Sequence, residues 1–132
     1  MKLERVKEVL EAEILGEYAD LDVEFKYGYG SDLMSDVLAF IEDGSLLLTG
    51  LTTEQVIRTA EVVDIKAIVF VRGKKPPKDV VKLADEKKIT LLSTTCTMYL
   101  ACGRLLAAGL PGYKIIRDEK TGDIKIHVGG NI

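Results

Sequence analysis

A chain of 132 residues, 47% of them apolar, has material for one packed core and little room for a second domain. Its 30% charged residues make an ordinary solvated surface, and a net charge of −3 argues against broad nucleic-acid binding, which wants a basic face. Two cysteines and one histidine are too few for a disulfide framework or a clustered zinc site, and they fit a reducing compartment.

The opening residues, Met1-Lys2-Leu3-Glu4-Arg5, lack the apolar stretch of a signal peptide. No apolar run approaches the roughly 20 residues that cross a bilayer, so a cytoplasmic protein with no membrane contact is expected. Leu3, Val6, Val9 and Leu10 recur at helical spacing and predict a short first helix. Val23, Phe25, Tyr27 and Tyr29 alternate with Asp22, Glu24, Lys26 and Gly28, which reads as a strand with one covered face that Gly28 and Gly30 break. Ser31 is then placed to N-cap a helix over Asp32 to Ile41. Asp32 and Asp36 lie near its positive end, Leu33, Val37, Leu38 and Ile41 form its apolar stripe, and Gly44 stops it.

Ser45 to Thr49 reads as a short apolar strand. Thr52 and Gln55 have capping-box spacing at the start of a helix that runs to about Val63. Ile65 to Val71 is an unbroken apolar strand; Pro76 and Pro77 suit the start of a helix over Lys78 to Lys87. Ile89 to Leu92 is a further strand, and Thr94 or Thr95 caps a last helix that Gly109 and Pro111 end. Tyr113 to Ile116 and Ile124 to Val128 predict a hairpin, with Gly129-Gly130-Asn131-Ile132 as a loose end. Apolar strands joined by helices imply parallel pairing with both faces covered and right-handed crossovers. The expected fold is α/β: a three-layer open sheet, mainly parallel, over residues 1–110, with 111–132 as a C-terminal hairpin extension of the same domain.

Ligands of such sheets favour the carboxyl ends of the strands. Three loops leave those ends: Gly50-Leu51-Thr52-Thr53, Arg72-Gly73-Lys74-Lys75 and Ser93-Thr94-Thr95-Cys96-Thr97. Each feeds a helix N-terminus, whose free N–H groups attract anions, and together they offer hydroxyls, one Arg and two Lys. Ser31, Asp32, Thr49, Gly50, Thr52, Thr53, Arg72, Gly73, Lys74, Lys75, Ser93, Thr94, Thr95 and Thr97 are therefore the candidate ligand-binding residues. The bland reading of the hydroxyls is helix capping, and that of the lysines is solvation. Neither Gly-x-Gly-x-x-Gly nor a Walker pattern is present.

No catalytic residue, metal ligand or cofactor is expected. His127 lies in the hairpin, far in sequence from every loop above, and reads as solvent-facing. Cys102 shares a stripe with Met98, Leu105 and Leu106 and reads as core. Cys96, near a helix N-terminus, is the more interesting thiol, though a passive loop role outranks a nucleophilic one. Were both cysteines helical, they would stand roughly 120° apart and not pair. Asp32 and Asp36 read as first-turn charges, and the side to which Arg58 faces is open.

Tyr29-Gly30-Ser31-Asp32-Leu33-Met34-Ser35-Asp36-Val37-Leu38-Ala39 resembles the segment SDLLSDVLA of DRTGG domains. The order that follows is also similar to that family, through the Gly73-Lys74-Lys75-Pro76 loop, Ile89-Thr90-Leu91-Leu92-Ser93-Thr94 and Ala101-Cys102-Gly103-Arg104-Leu105. The likeness covers about residues 1 to 110. Gly50-Leu51-Thr52-Thr53 replaces the eponymous Asp-Arg, and Gly73-Lys74 the later Gly-Gly. The resemblance implies a fold like the N-terminal domain of HPr kinase, with no catalytic residues of its own. In regulated pyrophosphatases such a domain stands beside CBS domains in an adenine-nucleotide-sensing region and helps form a dimer. The expected function is thus a non-catalytic sensor for a small phosphorylated ligand, an adenine nucleotide, acting as a homodimer. The alternative is an accessory subunit that meets a protein partner, and a weaker one is an enzyme using Cys96 or Asp32.

Overall fold

The computed structural model describes residues 1–129, and the side chains of residues 1–124. A five-stranded sheet has the order β1-β5-β4-β3-β2, from β1 (Glu13–Leu15), β2 (Tyr27–Gly30), β3 (Ser45–Thr49), β4 (Ala67–Phe70) and β5 (Thr90–Ser93). β2, β3, β4 and β5 pair in parallel, and β1 closes one edge antiparallel to β5. The expected α/β architecture is present, and its cause lies in the strands: every residue of β3, β4 and β5 is buried. Alternate side chains feed two cores. Leu46, Leu48, Val69 and Leu92 meet α1 (Leu3–Leu10) and α5 (Met98–Ala107) on one face. Leu47, Ile68, Phe70 and Leu91 meet α2 (Met34–Phe40), α3 (Glu54–Val62) and α4 (Lys78–Glu86) on the other. Each such Leu or Ile contributes roughly 1.5–3 kcal/mol of burial.

Several local expectations are corrected. The alternating stretch is a regular strand only from Tyr27; before that, Val23 and Phe25 are tied to the chain start, with Leu3 N donating to Val23 O and Phe25 N to Met1 O. Gly28 and Gly30 do not break β2 but lie within it, because helix and loop side chains press against its backbone. A Cβ on Gly30 would stand 3.0 Å from Met98 Sδ, and one on Gly28 3.3 Å from Leu110 Cδ2. α2 begins at Met34, with Leu33 and not Ser31 as its N-cap; Asp32 thus precedes the helix. Met34 and Val37 are the buried stripe, whereas Leu33 and Leu38 are exposed, since two turns present few inward positions. The Thr52–Gln55 capping box is not formed: Thr53 is the N-cap of α3 and makes no side-chain capping bond. α5 is capped by Thr97, whose hydroxyl accepts from Leu100 N, and not by Thr94 or Thr95.

The hairpin of β6 (Gly112–Arg117) and β7 (Ile124–Gly129) forms as expected. Its base is anchored: Tyr113 OH donates to Phe40 O at 2.9 Å and accepts from Glu42 N at 3.0 Å, while its ring packs edge-on against Tyr27. The outer edge of β2 is used there too, Gly28 N donating to Pro111 O. The side chain of His127 and the end at Gly130-Asn131-Ile132 lie outside the described residues.

Candidate functional site

Parallel pairing brings the exits of β2, β3, β4 and β5 to one rim, and hydrogen bonds between the exit loops hold them there. Ser31 N donates to Leu48 O, Val71 N to Thr49 O, Arg72 N to Cys96 O and Gly73 N to Thr94 O. Asp32 fastens the first two exits: its Oδ1 accepts from Gly50 N at 2.7 Å and from Thr49 Oγ1 at 3.0 Å. It is therefore a rim staple, not the first-turn helix charge expected of it. Asp36 does lie in the first turn of α2 and accepts from Tyr29 OH at 2.7 Å. That bond and above all burial raise the Tyr29 hydroxyl above its ordinary range, burial leading.

Arg72 has φ 62° and Gly73 φ 68°, a pair of left-handed residues that turns the chain sharply out of β4. The Arg72 guanidinium is thereby laid over Gly50: a Cβ there would stand 2.5 Å from Nη2. Gly50 is what lets an exposed arginine cross the β3 exit beside the start of α3. Ser93 Oγ donates to Lys74 O, and Lys75 Nζ stands 2.6 Å from Glu13 Oε1. Thr94 is buried and structural, donating to Leu10 O and accepting from Cys96 N. Thr53, Thr95 and Thr97 are exposed and Thr52 half-buried. The candidate residues thus share a rim, but Thr49, Ser93 and Thr94 have their hydroxyls engaged within it.

Glu11 and Glu13 were not among the candidates, yet with Gly73, Lys75, Ser93, Thr94 and Thr95 they line a cavity of about 310 Å³ on this rim. The pairing of β1 with β5, Glu13 opposite Ser93, puts Glu13 there, three residues of strand carry too little pattern to announce it, and Glu11 comes from the C-cap of α1. Cys96 is buried near Arg104, whose Nη1 stands 3.5 Å from its sulfur. Arg58 is spent on Glu54 at 2.9 Å. A second, apolar cavity of about 150 Å³ lies between β2 and α5, lined by Gly30, Leu48, Leu105 and Leu110 among others. Cys102 on its wall is half-buried, and burial pushes its thiol up. Among the described residues no three His, Cys, Asp or Glu side chains cluster to hold a metal ion. None of the described helices is long and apolar enough to cross a membrane.

The DRTGG domain model matches residues 5–106. The chain belongs to the DRTGG domain family. The hairpin lies beyond the matched part of this DRTGG domain. No curated protein matches the chain. Among solved structures, it resembles the CBS and DRTGG domains of the regulatory region of Clostridium perfringens pyrophosphatase, in complex with the activator diadenosine tetraphosphate. The TM-score is 0.57 at 15% identity, over 78% of this chain and 46% of that one. The present DRTGG domain therefore spans under half of that regulatory region, and the likeness is one of fold.

Proposed function

We propose that this DRTGG domain is a cytoplasmic, non-catalytic regulatory module, homodimeric in solution, whose rim takes the phosphate of an adenine nucleotide. The observation that carries the reading is the Arg72 guanidinium held over Gly50, exposed and unpaired among the described residues, beside the start of α3 that no side chain caps. A guanidinium next to free helix amides is a donor set suited to a phosphate. The similar pyrophosphatase region, which is described with an adenine-nucleotide activator, supports the same ligand class.

Calorimetric titration with AMP, ADP, ATP and diadenosine tetraphosphate tests it. At least one should bind, and Arg72→Ala should weaken that binding about tenfold or more, the range for a lost charge-assisted bond, without lowering the melting temperature. Absence of heat with every ligand at millimolar concentration sinks the reading. The alternative of a protein partner is favoured by Ile115, Ile116 and Ile124, which the hairpin leaves exposed beyond the family match. A partner using that surface would be lost on detaching the hairpin.

A further inference from the structure

α5 differs from its neighbours on its outer side. α1, α3 and α4 each carry several charged residues, whereas Arg104 is the one charged residue of α5. A helix that is apolar all round is normally covered all round. Yet Tyr99 in its first turn is 90% exposed, and Leu100, Gly103 and Ala107 are exposed as well. Arg104 does not interrupt this surface, because its guanidinium turns toward α1, 3.8 Å from Glu11 and 3.5 Å from the Cys96 sulfur.

Tyr99, Gly103 and Leu106 follow at steps of four and three residues, which puts them on one stripe of the helix. Leu106 stands on the wall of the apolar cavity of about 150 Å³ between β2 and α5, with Gly28, Gly30 and Cys102. The stripe therefore has an aromatic knob at one end and an apolar hole at the other, two turns or about 10 Å apart. An apolar cavity of roughly this size takes a benzene ring. Being 90% exposed, Tyr99 does not fill the hole of its own chain. Between the two, nothing lies within 4 Å of where a Cβ on Gly103 would stand, so no side chain keeps another helix at a distance.

On the homodimer reading above, we propose that this stripe is the interface between two copies. α5 of each copy crosses that of the other at Gly103, antiparallel, and each Tyr99 seats in the partner's cavity. A second copy brings a knob and a hole at the same spacing, and a two-fold axis satisfies both at once. A buried tyrosine ring takes roughly 200 Å² out of water. Two rings, with the cavity walls and helix flanks they cover, bury on the order of 800 Å². That is less than a permanent complex needs, and it suits a reversible dimer with a dissociation constant in roughly the micromolar range. No charged side chain of α5 lies on the stripe, so the contact desolvates no charge there.

Sedimentation equilibrium from micromolar to millimolar protein tests this on the wild type, Tyr99→Ala, Tyr99→Phe and Gly103→Gln, with melting temperatures as the check on folding. The wild type should be a reversible dimer. Tyr99→Ala and Gly103→Gln should each weaken it about tenfold or more, the first by removing the knob and the second by blocking the close crossing. Neither should lower the melting temperature of dilute protein, since one side chain is exposed and the other enters open space. Tyr99→Phe keeps the ring and should stay within about threefold of the wild type. Cys102, on the cavity wall, should react with a thiol reagent more slowly as wild-type concentration rises, and at a constant rate in Tyr99→Ala. If the wild type dimerises and neither Tyr99→Ala nor Gly103→Gln changes its dissociation constant, the two copies meet elsewhere: this inference fails and the homodimer reading stands. A wild type that stays monomeric at millimolar concentration overturns the homodimer reading, and this interface with it.

Discussion

Asp32 shows how much one side chain at a strand exit can decide. A single carboxylate oxygen joins the β2 exit to the β3 exit through the Gly50 amide and the Thr49 hydroxyl, and Thr49 in turn accepts from Leu51 N. The sequence marks Asp32 as notable but for a different reason, since a Ser-Asp pair before an apolar run looks like a helix start. The true helix start two residues later leaves Asp32 free to face the neighbouring exit. Removing it leaves a buried Thr49 hydroxyl and the Gly50 amide without their acceptor. Asp32→Ala should therefore lose about 2–3 kcal/mol in urea denaturation, the cost of an unsatisfied pair of donors. Asp32→Asn keeps an acceptor oxygen and should lose less than half of that. Equal losses would mean that the charge, and not the acceptor geometry, does the work. Gly50 illustrates a complementary case: its lack of a side chain is used by Arg72, a relation between two loops that no local pattern could reveal.

At the scale of elements, the hairpin has Tyr113 as its side-chain anchor, beside the backbone bond from Gly28 N to Pro111 O. Tyr113 makes both hydrogen bonds that join β6 to the end of α2, and it packs on Tyr27 and Tyr29 of the edge strand. Farther out, Ile115 and Ile116 are exposed, and nothing comparable holds the rest of β6 among the described residues. A two-stranded ribbon is marginal by itself. Tyr113→Ala should free the hairpin while the five-stranded sheet persists: trypsin should cut after Lys114, Arg117 or Lys120 much faster than in the wild type. The remaining domain should lose only about 2–3 kcal/mol, from two hydrogen bonds and the aromatic contacts. A cooperative loss of the whole fold would show that the hairpin is integral to the core. The sequence announces this hairpin, and it announces β3, β4 and β5, because continuous apolar runs bounded by turns have few other solutions. Helix starts are less legible. Threonines abound at every exit, and which one caps is settled by long-range bonds such as Thr94 to Leu10 O. The first edge strand is shorter still, and its one glutamate, Glu13, reaches the rim through pairing with β5.

For the molecule as a whole, the tyrosine cluster at the β2 edge gives stability a dependence on alkaline pH. Tyr29 and Tyr113 lie 5.9 Å apart between their ring centroids, and burial raises the hydroxyls of both in the folded protein. In the unfolded chain each titrates near pH 10. The folded state thus binds these protons more tightly, and the stability they contribute is fully present below about pH 10. It is lost as pH rises from there toward the folded-state values, because the unfolded chain gives up its protons first. Urea midpoints should therefore fall from pH 9 to pH 11. Tyr29→Phe removes the more strongly raised group along with its bond to Asp36. That variant should be less stable at neutral pH, by about 1 kcal/mol for the hydrogen bond, and should decline less steeply above pH 10. A slope unchanged by the substitution would place the alkaline loss elsewhere and leave the Tyr29–Asp36 pair as a neutral-pH contact alone.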